Sequence, residues 1–153
     1  MTAHHLAQVN IARMRAPLED PVMADFVAAL PVLNSLAEHS DGFVWRLVDE
    51  SGHDATGLRP YGDDVIVNLT VWASVEALRA YAYRSAHLDA LRRRREWFTH
   101  DGLDQHAACW WIPAGSLPTV EDAQARLQLL TSQGPSADAF TLREPYPAPA
   151  LPG

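Results

Sequence analysis

From Leu6 to Ile11 the apolar positions alternate, with Ala7, Val9 and Ile11 on one side and Gln8 and Asn10 on the other, the mark of a strand with one apolar face. The period then changes. Asp20 followed by Pro21 reads as a helix cap with proline in the first turn, and Met23, Phe26, Val27, Leu30 and Leu33 recur at helical spacing, with a kink or break predicted near Pro31 and a stop at Ser40-Asp41-Gly42. Phe43 to Val48 is a β-rich run holding Trp45 and Arg46, and residues 49–63, with three glycines and a proline, connect it to the clearest strand in the chain. In that strand Val65, Val67, Leu69 and Val71 alternate with Ile66, Asn68, Thr70 and Trp72, so one face is wholly aliphatic and the other mixed. Ser74 caps a helical run that reaches Phe98 with an interruption near Ser85, and His106 to Ile112 is β-like again.

The resulting order, β-α-β-β-α-β, predicts a ferredoxin-like α+β fold. Thr119 with Asp122 resembles a capping box, and Val120, Ala123, Leu127 and Leu130 make the stripe of a further helix. Ala139 to Leu142 is expected as a short edge strand, with an extended or disordered proline-rich tail from Pro145. Residues 1–118 thus form the ferredoxin-like domain, and 119–153 an extension packed on it. Both helices of such a domain lie on one side of the sheet. The other side is expected to carry Asn10, Asn68 and Trp72 and to need a cover, which a second copy would supply across a twofold axis. The expectation is a homodimer, a dimeric α/β barrel with a C-terminal helical extension.

Composition narrows the chemistry. At 153 residues and 48% hydrophobic the chain builds one core. A net charge of −7 argues against nucleic acid or an anionic membrane as partner. There is no run of 18 apolar residues, and Met1 to Asn10 lacks a signal-peptide pattern, so the expected location is cytoplasmic. Cys109 is the only cysteine, which excludes an intrachain disulfide and a thiolate pair for metal. All 12 basic residues are arginine, which removes lysine Schiff bases and phosphate-loop lysines. Arg92 to Arg95 spread around a helix with Asp89 and Glu96 at pairing distance, reading as a solvated ion-paired face, with Arg94 or Arg95 available to turn inward beside His87. His100, Asp101, Asp104 and His106 lack a recognised ligand spacing and fall in a loop, so no metal site is expected there.

Three stretches carry a resemblance: Asn34 to Leu47; Ser85-Ala86-His87 running into Arg94 to Phe98; and Trp110 to Gly115 with Pro118 to Glu121 and Gly134-Pro135. Together they resemble the bacterial domain-of-unknown-function family 3291, over nearly the whole chain. That family is grouped with the dimeric α/β-barrel superfamily of antibiotic-biosynthesis-monooxygenase type. The superfamily includes cofactor-free quinone-forming monooxygenases, heme-degrading oxygenases, heme peroxidases and dehydratases, and lactone isomerases. The resemblance implies the fold directly and leaves the reaction among these chemistries.

Asn68 and Trp72, four apart on one strand, share a face, and Asn10 joins them from the neighbouring strand. The arrangement resembles the anthrone-oxidising monooxygenases, which use an Asn and a Trp from such a strand. An amide hydrogen-bonds a phenolate or enolate oxygen and an indole walls a planar substrate, while the bland alternative makes Trp72 core and Asn68 the partner of a polar neighbour. His87 is either a general base or the axial ligand of a heme iron, and otherwise a structural histidine. Trp45 and Arg46 point to opposite faces unless a bulge intervenes. Which of them lines the site stays open, with Arg46 as an anion clamp or an ion-pair partner. Tyr81 and Tyr83 are candidates for the entrance, and Trp45 or Trp110 for further walls.

The sequence therefore predicts a small-molecule enzyme, a cofactor-free monooxygenase or a proton-transfer isomerase or cyclase of secondary metabolism, acting on an apolar or aromatic metabolite. In it His87 is the base, Asn68 the oxyanion partner, and Asn10, Trp45, Arg46, Trp72, Tyr83 and Trp110 contact substrate. The alternatives are a heme protein with His87 as ligand and a noncatalytic ligand-binding or assembly module.

Overall fold

The computed structural model describes residues 3–150 other than 84 and 104, with the side chains of 85–88, 90 and 91 outside the described set. The two alternating segments become β1 (His4–Met14) and β3 (Val65–Trp72), paired antiparallel at the centre of the sheet with Leu6 opposite Trp72, Asn10 opposite Asn68 and Ala12 opposite Ile66. β2 (Phe43–Arg46) pairs with β3. β4 (Phe98–Thr99) and β5 (Ala107–Pro113) both pair with β1, giving the order β2-β3-β1 followed by β4 and β5. The last strand of the predicted fold is thus split, and residues 100–106 leave β1 and return to it. Between the strands lie α1 (Ala24–Glu38), α2 (Val75–Ala82) and α3 (Ser85–Trp97), and α4 (Val120–Gln133) follows β5.

Local chemistry explains the boundaries. Asp20 Oδ1 accepts the Val22 N–H at 3.0 Å and starts a single 3-10 turn that leads into α1. Helix α1 runs on through Pro31, so of the kink or break predicted there the break does not occur. Gly42, at φ +81°, turns the chain into β2 so close to α2 that a Cβ on it would meet the Ala77 Cβ at 2.5 Å. The interruption near Ser85 is the junction of α2 and α3. Both bonds of the capping box at α4 are formed, Thr119 Oγ1 accepting from Asp122 N at 3.0 Å and Asp122 Oδ2 accepting from Thr119 N at 2.9 Å. The expected edge strand contracts to a bridge between Phe140 and Cys109, and Trp111 Nε1 donates to the Tyr146 carbonyl at 2.9 Å, tying down the start of the tail.

The two faces of the sheet are covered differently from the expectation. Ala7, Val9, Ile11, Val65, Val67, Leu69 and Val71, with Trp110 and Ile112 of β5, form one buried cluster with Ala123, Leu127 and Leu130 of α4. Leu58 and Tyr61 close it from the β2–β3 connection, where the Tyr61 hydroxyl donates to the Val120 carbonyl at 2.6 Å. Helices α1, α2 and α3 pack on the opposite face, the one bearing Leu6, Trp72, Met14 and Ile66. Asn10, Asn68 and Trp72 therefore lie beneath the helices and not on a bare face awaiting a second copy. The face that does lie away from α1–α3 is covered within the single chain. Alternation announces two faces but does not say which takes the helices. Between Ala7 and Ile11 of β1 and Val65 and Val71 of β3 this face carries only aliphatic side chains, and the stripe of α4 packs on them. Among the described residues no helix is long and apolar enough to cross a membrane.

Candidate functional site: a polar gap beneath the helices

The helix-bearing face is buried at its two ends and open in its middle. At one end Leu6, Trp72, Val75, Leu78 and Ala37 cluster with Phe43 and Tyr81; at the other Met23, Phe26 and Trp97 pack with Met14, Ile66 and Phe98. Helix α1 contributes to both, through Ala37 and Phe26, and so bridges the face from one cluster to the other. Between them lie two cross-strand pairs, Gln8 opposite Thr70 and Asn10 opposite Asn68, about 7 Å of sheet along the strands. Asn10 and Asn68 are exposed although they sit at the centre of the sheet, which defines a gap with aromatic ends and a polar floor.

Hydrogen bonds fix the direction of the floor. Trp72 Nε1 donates to Thr70 Oγ1 at 2.9 Å, and Thr70 Oγ1 donates to Gln8 Oε1 at 2.9 Å. Asn10 Nδ2 donates to Asn68 Oδ1 at 3.4 Å. Gln8 and Asn68 thus each commit a carbonyl oxygen as acceptor and keep amide hydrogens for other partners, so the floor is rich in donors. Such a surface suits an oxygen that carries or develops negative charge.

The flanks carry charge. On the β2 side, a bulge between Phe43 and Trp45 settles the open question of strand two. Phe43 and Arg46 face the helices opposite Trp72 and Thr70, whereas Trp45 faces the α4 side opposite Val71. The Arg46 guanidinium, largely covered, pairs with Glu38 of α1 at 3.2 Å. On the β5 side, His100 and His106 stack with ring centroids 3.8 Å apart and planes 14° from parallel. Partial burial holds both imidazoles below the ordinary histidine value. Their neighbours add to this, His106 and Arg94 at His100, and Arg94 at His106. His106 directly precedes Ala107, the cross-strand partner of Asn10, and its carbonyl accepts from Ile11 N at 2.8 Å, so the register sets it opposite Ile11 and not opposite the amide pair.

Several predicted site residues are separated from this gap. Trp72 is fully buried, meets Tyr81 and Phe43 at 5.1 and 5.5 Å between ring centroids, and is core, not an accessible wall. Trp45 and Trp110 belong to the α4 side and cannot share a pocket with Asn68. Tyr81 is half-buried with its hydroxyl donating to the Leu33 carbonyl, and desolvation pushes its pKa up to about 12; Tyr83, just beyond α2, is exposed. The side chain of His87, in the first turn of α3, lies outside the described residues. Arg93 pairs with Glu96 and Asp25, both at 2.8 Å, and Arg92 with Asp89 at 3.7 Å, the expected ion-paired face. Cys109 is buried and its thiol is pushed up to about 12, which removes it as a nucleophile. A recess of about 370 Å³ formed by the 14–19 segment with Arg59, Asp63 and Asp64 contains no imidazole or nucleophile. The histidine pair is what the sequence reading missed. The available signal was Phe98-Thr99, β-prone residues directly after a helix, which with Ala107 onward make one strand interrupted by a Gly102 turn.

Among solved structures the chain is similar to a protein from Shewanella oneidensis (8% identity over 73% of this chain and 93% of that one, TM-score 0.50). It is also similar to the cofactor-independent oxygenase SnoaB from Streptomyces nogalater (18% identity, 76% and 100% of the two chains, TM-score 0.49) and to a protein from Pseudomonas aeruginosa (12%, 76% and 97%, TM-score 0.46). The Shewanella likeness is one of fold, the ferredoxin-like α+β arrangement described above. No curated protein matches the chain. The model of the family described as domain of unknown function DUF3291 matches residues 5–152, and the chain belongs to that family.

Proposed function

We propose that the protein is a small-molecule enzyme that works in this gap without a cofactor. It ionises an apolar or aromatic metabolite, then either moves the proton elsewhere, as an isomerase or cyclase does, or exposes the anion to dioxygen, as a cofactor-independent monooxygenase does. The observation that carries the reading is the exposed Asn10–Asn68 pair at the centre of a sheet face whose two ends are packed under the helices. A phenolate or enolate needs fixed donors where its charge develops, and amide hydrogens of Asn68 and Gln8 supply them in a gap whose ends are aromatic. Asn68 takes the oxyanion and Asn10 orients the substrate. In the oxygenase branch a substrate CH2 becomes a carbonyl with one oxygen atom, and the other leaves with the two hydrogens as water, so no external reductant is consumed. The proton acceptor in this reading is His87 on α3. Because one chain builds the whole gap, each copy in a homodimer would carry its own site.

The test uses 1,8-dihydroxyanthrone as a planar, enolisable probe. The wild type should be stabilised thermally by it and should speed its ionisation, and Asn68→Ala should lower that rate by about 10²- to 10³-fold with little change in melting temperature. Equal behaviour of the two proteins would remove the gap as the site. A hemin titration runs beside it. A saturable, one-per-chain Soret band lost in His87→Ala would replace the cofactor-free reading with a heme protein.

A further inference from the structure

We propose that the gap selects aromatic or apolar acids: Arg46 binds a substrate carboxylate at the β2 end of the floor while Asn68 and Asn10 meet the ionisable oxygen. The proposal rests on reading the gap as a substrate site and adds the class of molecule it takes.

Register fixes the position. Arg46 is the cross-strand partner of Thr70, whose Oγ1 belongs to the floor. It is therefore the diagonal neighbour of Asn68 on the same face, about 7–8 Å away between Cα atoms and within reach of a long side chain. The Leu47 N–H donates to the Leu69 carbonyl at 2.9 Å and carries this register past the end of β2, which sets Val48 opposite Asn68. Trp45 and Leu47 pack with the α4-side cluster, so Arg46 and Val48 take the other side. The row across the sheet then reads Val48, Asn68, Asn10, Ala107, two amides between two small apolar side chains, and Val48 is exposed. Four strands about 4.8 Å apart give the row a length of about 14 Å, room for a fused ring lying across them.

The guanidinium is covered but not fully engaged. Its side chain is 15% exposed, and Nε and Nη2 both donate to one oxygen of Glu38, at 3.3 and 3.2 Å. The more exposed Arg13 and Arg93 close their ion pairs at 2.6 and 2.8 Å. Nη1 and one hydrogen of Nη2 stay available at Arg46. They are not sealed in, since among the described residues the only buried side-chain nitrogen or oxygen without a partner is His5 Nδ1. Burial pushes the Tyr81 phenol up to about 12 and Arg46 works against it, so the cation lies near α2 as well as near α1, which carries Glu38. It stands where sheet and helices meet at the β2 edge.

Chemistry then selects the ligand. The Nη1–Nη2 edge of a guanidinium is a planar fork that fits the two oxygens of a carboxylate. Less water competes for a covered cation, so that pairing counts for more than it would at the surface. Glu38 on the same guanidinium disfavours a phosphate, which brings about two charges at pH 7. In a chain of net charge −7, an anionic substrate needs such a local cation. Glu38 holds the guanidinium in place while the gap is empty and competes for it once the acid arrives.

The test compares 4,5-dihydroxyanthraquinone-2-carboxylic acid with its 2-carboxamide, the same ring without the charge, by tryptophan fluorescence titration at pH 7. Wild type should bind the acid about tenfold tighter than the amide. Arg46→Gln should erase that preference by weakening the acid alone, and Arg46→Lys, which keeps the charge without the fork, should retain part of it. Glu38→Gln should enlarge the preference about threefold. A merely structural ion pair would move the Arg46 and Glu38 variants in the same direction, and that result would overturn the proposal, as would an Arg46→Gln protein that still prefers the acid. A wild type that binds both probes equally, with Asn68→Ala weakening both, overturns the carboxylate site and leaves the reading of the gap in place. Failure of both probes to bind, or binding that Asn68→Ala does not change, overturns the reading of the gap and the proposal with it.

Discussion

Asn68 and Leu69 are neighbours in the chain and opposites in the fold. Leu69 enters a face where Ala7, Val9 and Ile11 of β1 and Val65, Val67 and Val71 of β3 are all aliphatic and packed with α4. Asn68 enters a face that is buried at both ends, under aromatic clusters, and left wet in the middle. The same alternation that makes a strand thus assigns one surface to stability and the other to binding. The sealed face excludes water without interruption. The second spends one cross-strand pair, Asn10 with Asn68, on groups that help the fold little, since exposed amides gain almost nothing from each other in water.

The largest effect that sharpens this contrast comes from removing residues 119–150. This bares the aliphatic face, and the shortened chain should lose its cooperative melt and elute as aggregate; a soluble chain with a wild-type melt would show that α4 is dispensable. Next, Leu69→Ala should cost about 2–5 kcal/mol and Trp72→Ala about 3–5 kcal/mol in denaturant unfolding, against less than about 0.5 kcal/mol for Asn68→Ala. Similar losses for Asn68 and Leu69 would erase the distinction between the faces. Thr119→Ala removes the capping box and should cost about 1 kcal/mol.

The smallest effect is one of pH. His100 and His106 are held below the ordinary histidine value, so the unfolded chain binds protons more readily than the folded one. Their contribution is complete above about pH 6.5 and is lost as pH falls through the lowered folded values. Melting curves from pH 7.5 to 5 should therefore fall more steeply for wild type than for the His100→Gln, His106→Gln double variant. Asp64, held low chiefly by its hydrogen bonds from Arg13, acts in a lower window: its contribution fades only as pH falls below the carboxylate range.

Much of the fold was legible in the sequence. Strict alternation over Val65–Trp72 gave the strand and the two classes of side chain, the ferredoxin-like order put β1 beside β3, and so Asn10 beside Asn68. Thr119 with Asp122 announced α4. The cover of each face was not legible, because period-two alternation is symmetric and says nothing about which side a helix takes. Nor was the fate of the tryptophans. The bulge after Phe43 moves Trp45 to the sealed face while keeping Phe43 and Arg46 on the other, and such an inserted residue leaves no periodic trace. Trp72 was read as a candidate wall because its residue type suits one; its indole N–H is already used by Thr70, which only the coordinates reveal. The His100–His106 contact closes a loop across a split strand, and contacts of that kind lie outside any pattern of spacing.

The central claim is that ligand enters the helix-covered face at Asn10 and Asn68, and side-chain amide NMR tests it most directly. On titration with 1,8-dihydroxyanthrone, the amide resonances of Asn68, Asn10 and Gln8 should shift together and saturably, with the Asn68 signal identified by its absence in Asn68→Ala. Saturable shifts confined to α4 and the β2–β3 connection, with the three floor amides unmoved, would contradict the account and move the site to the other side of the sheet.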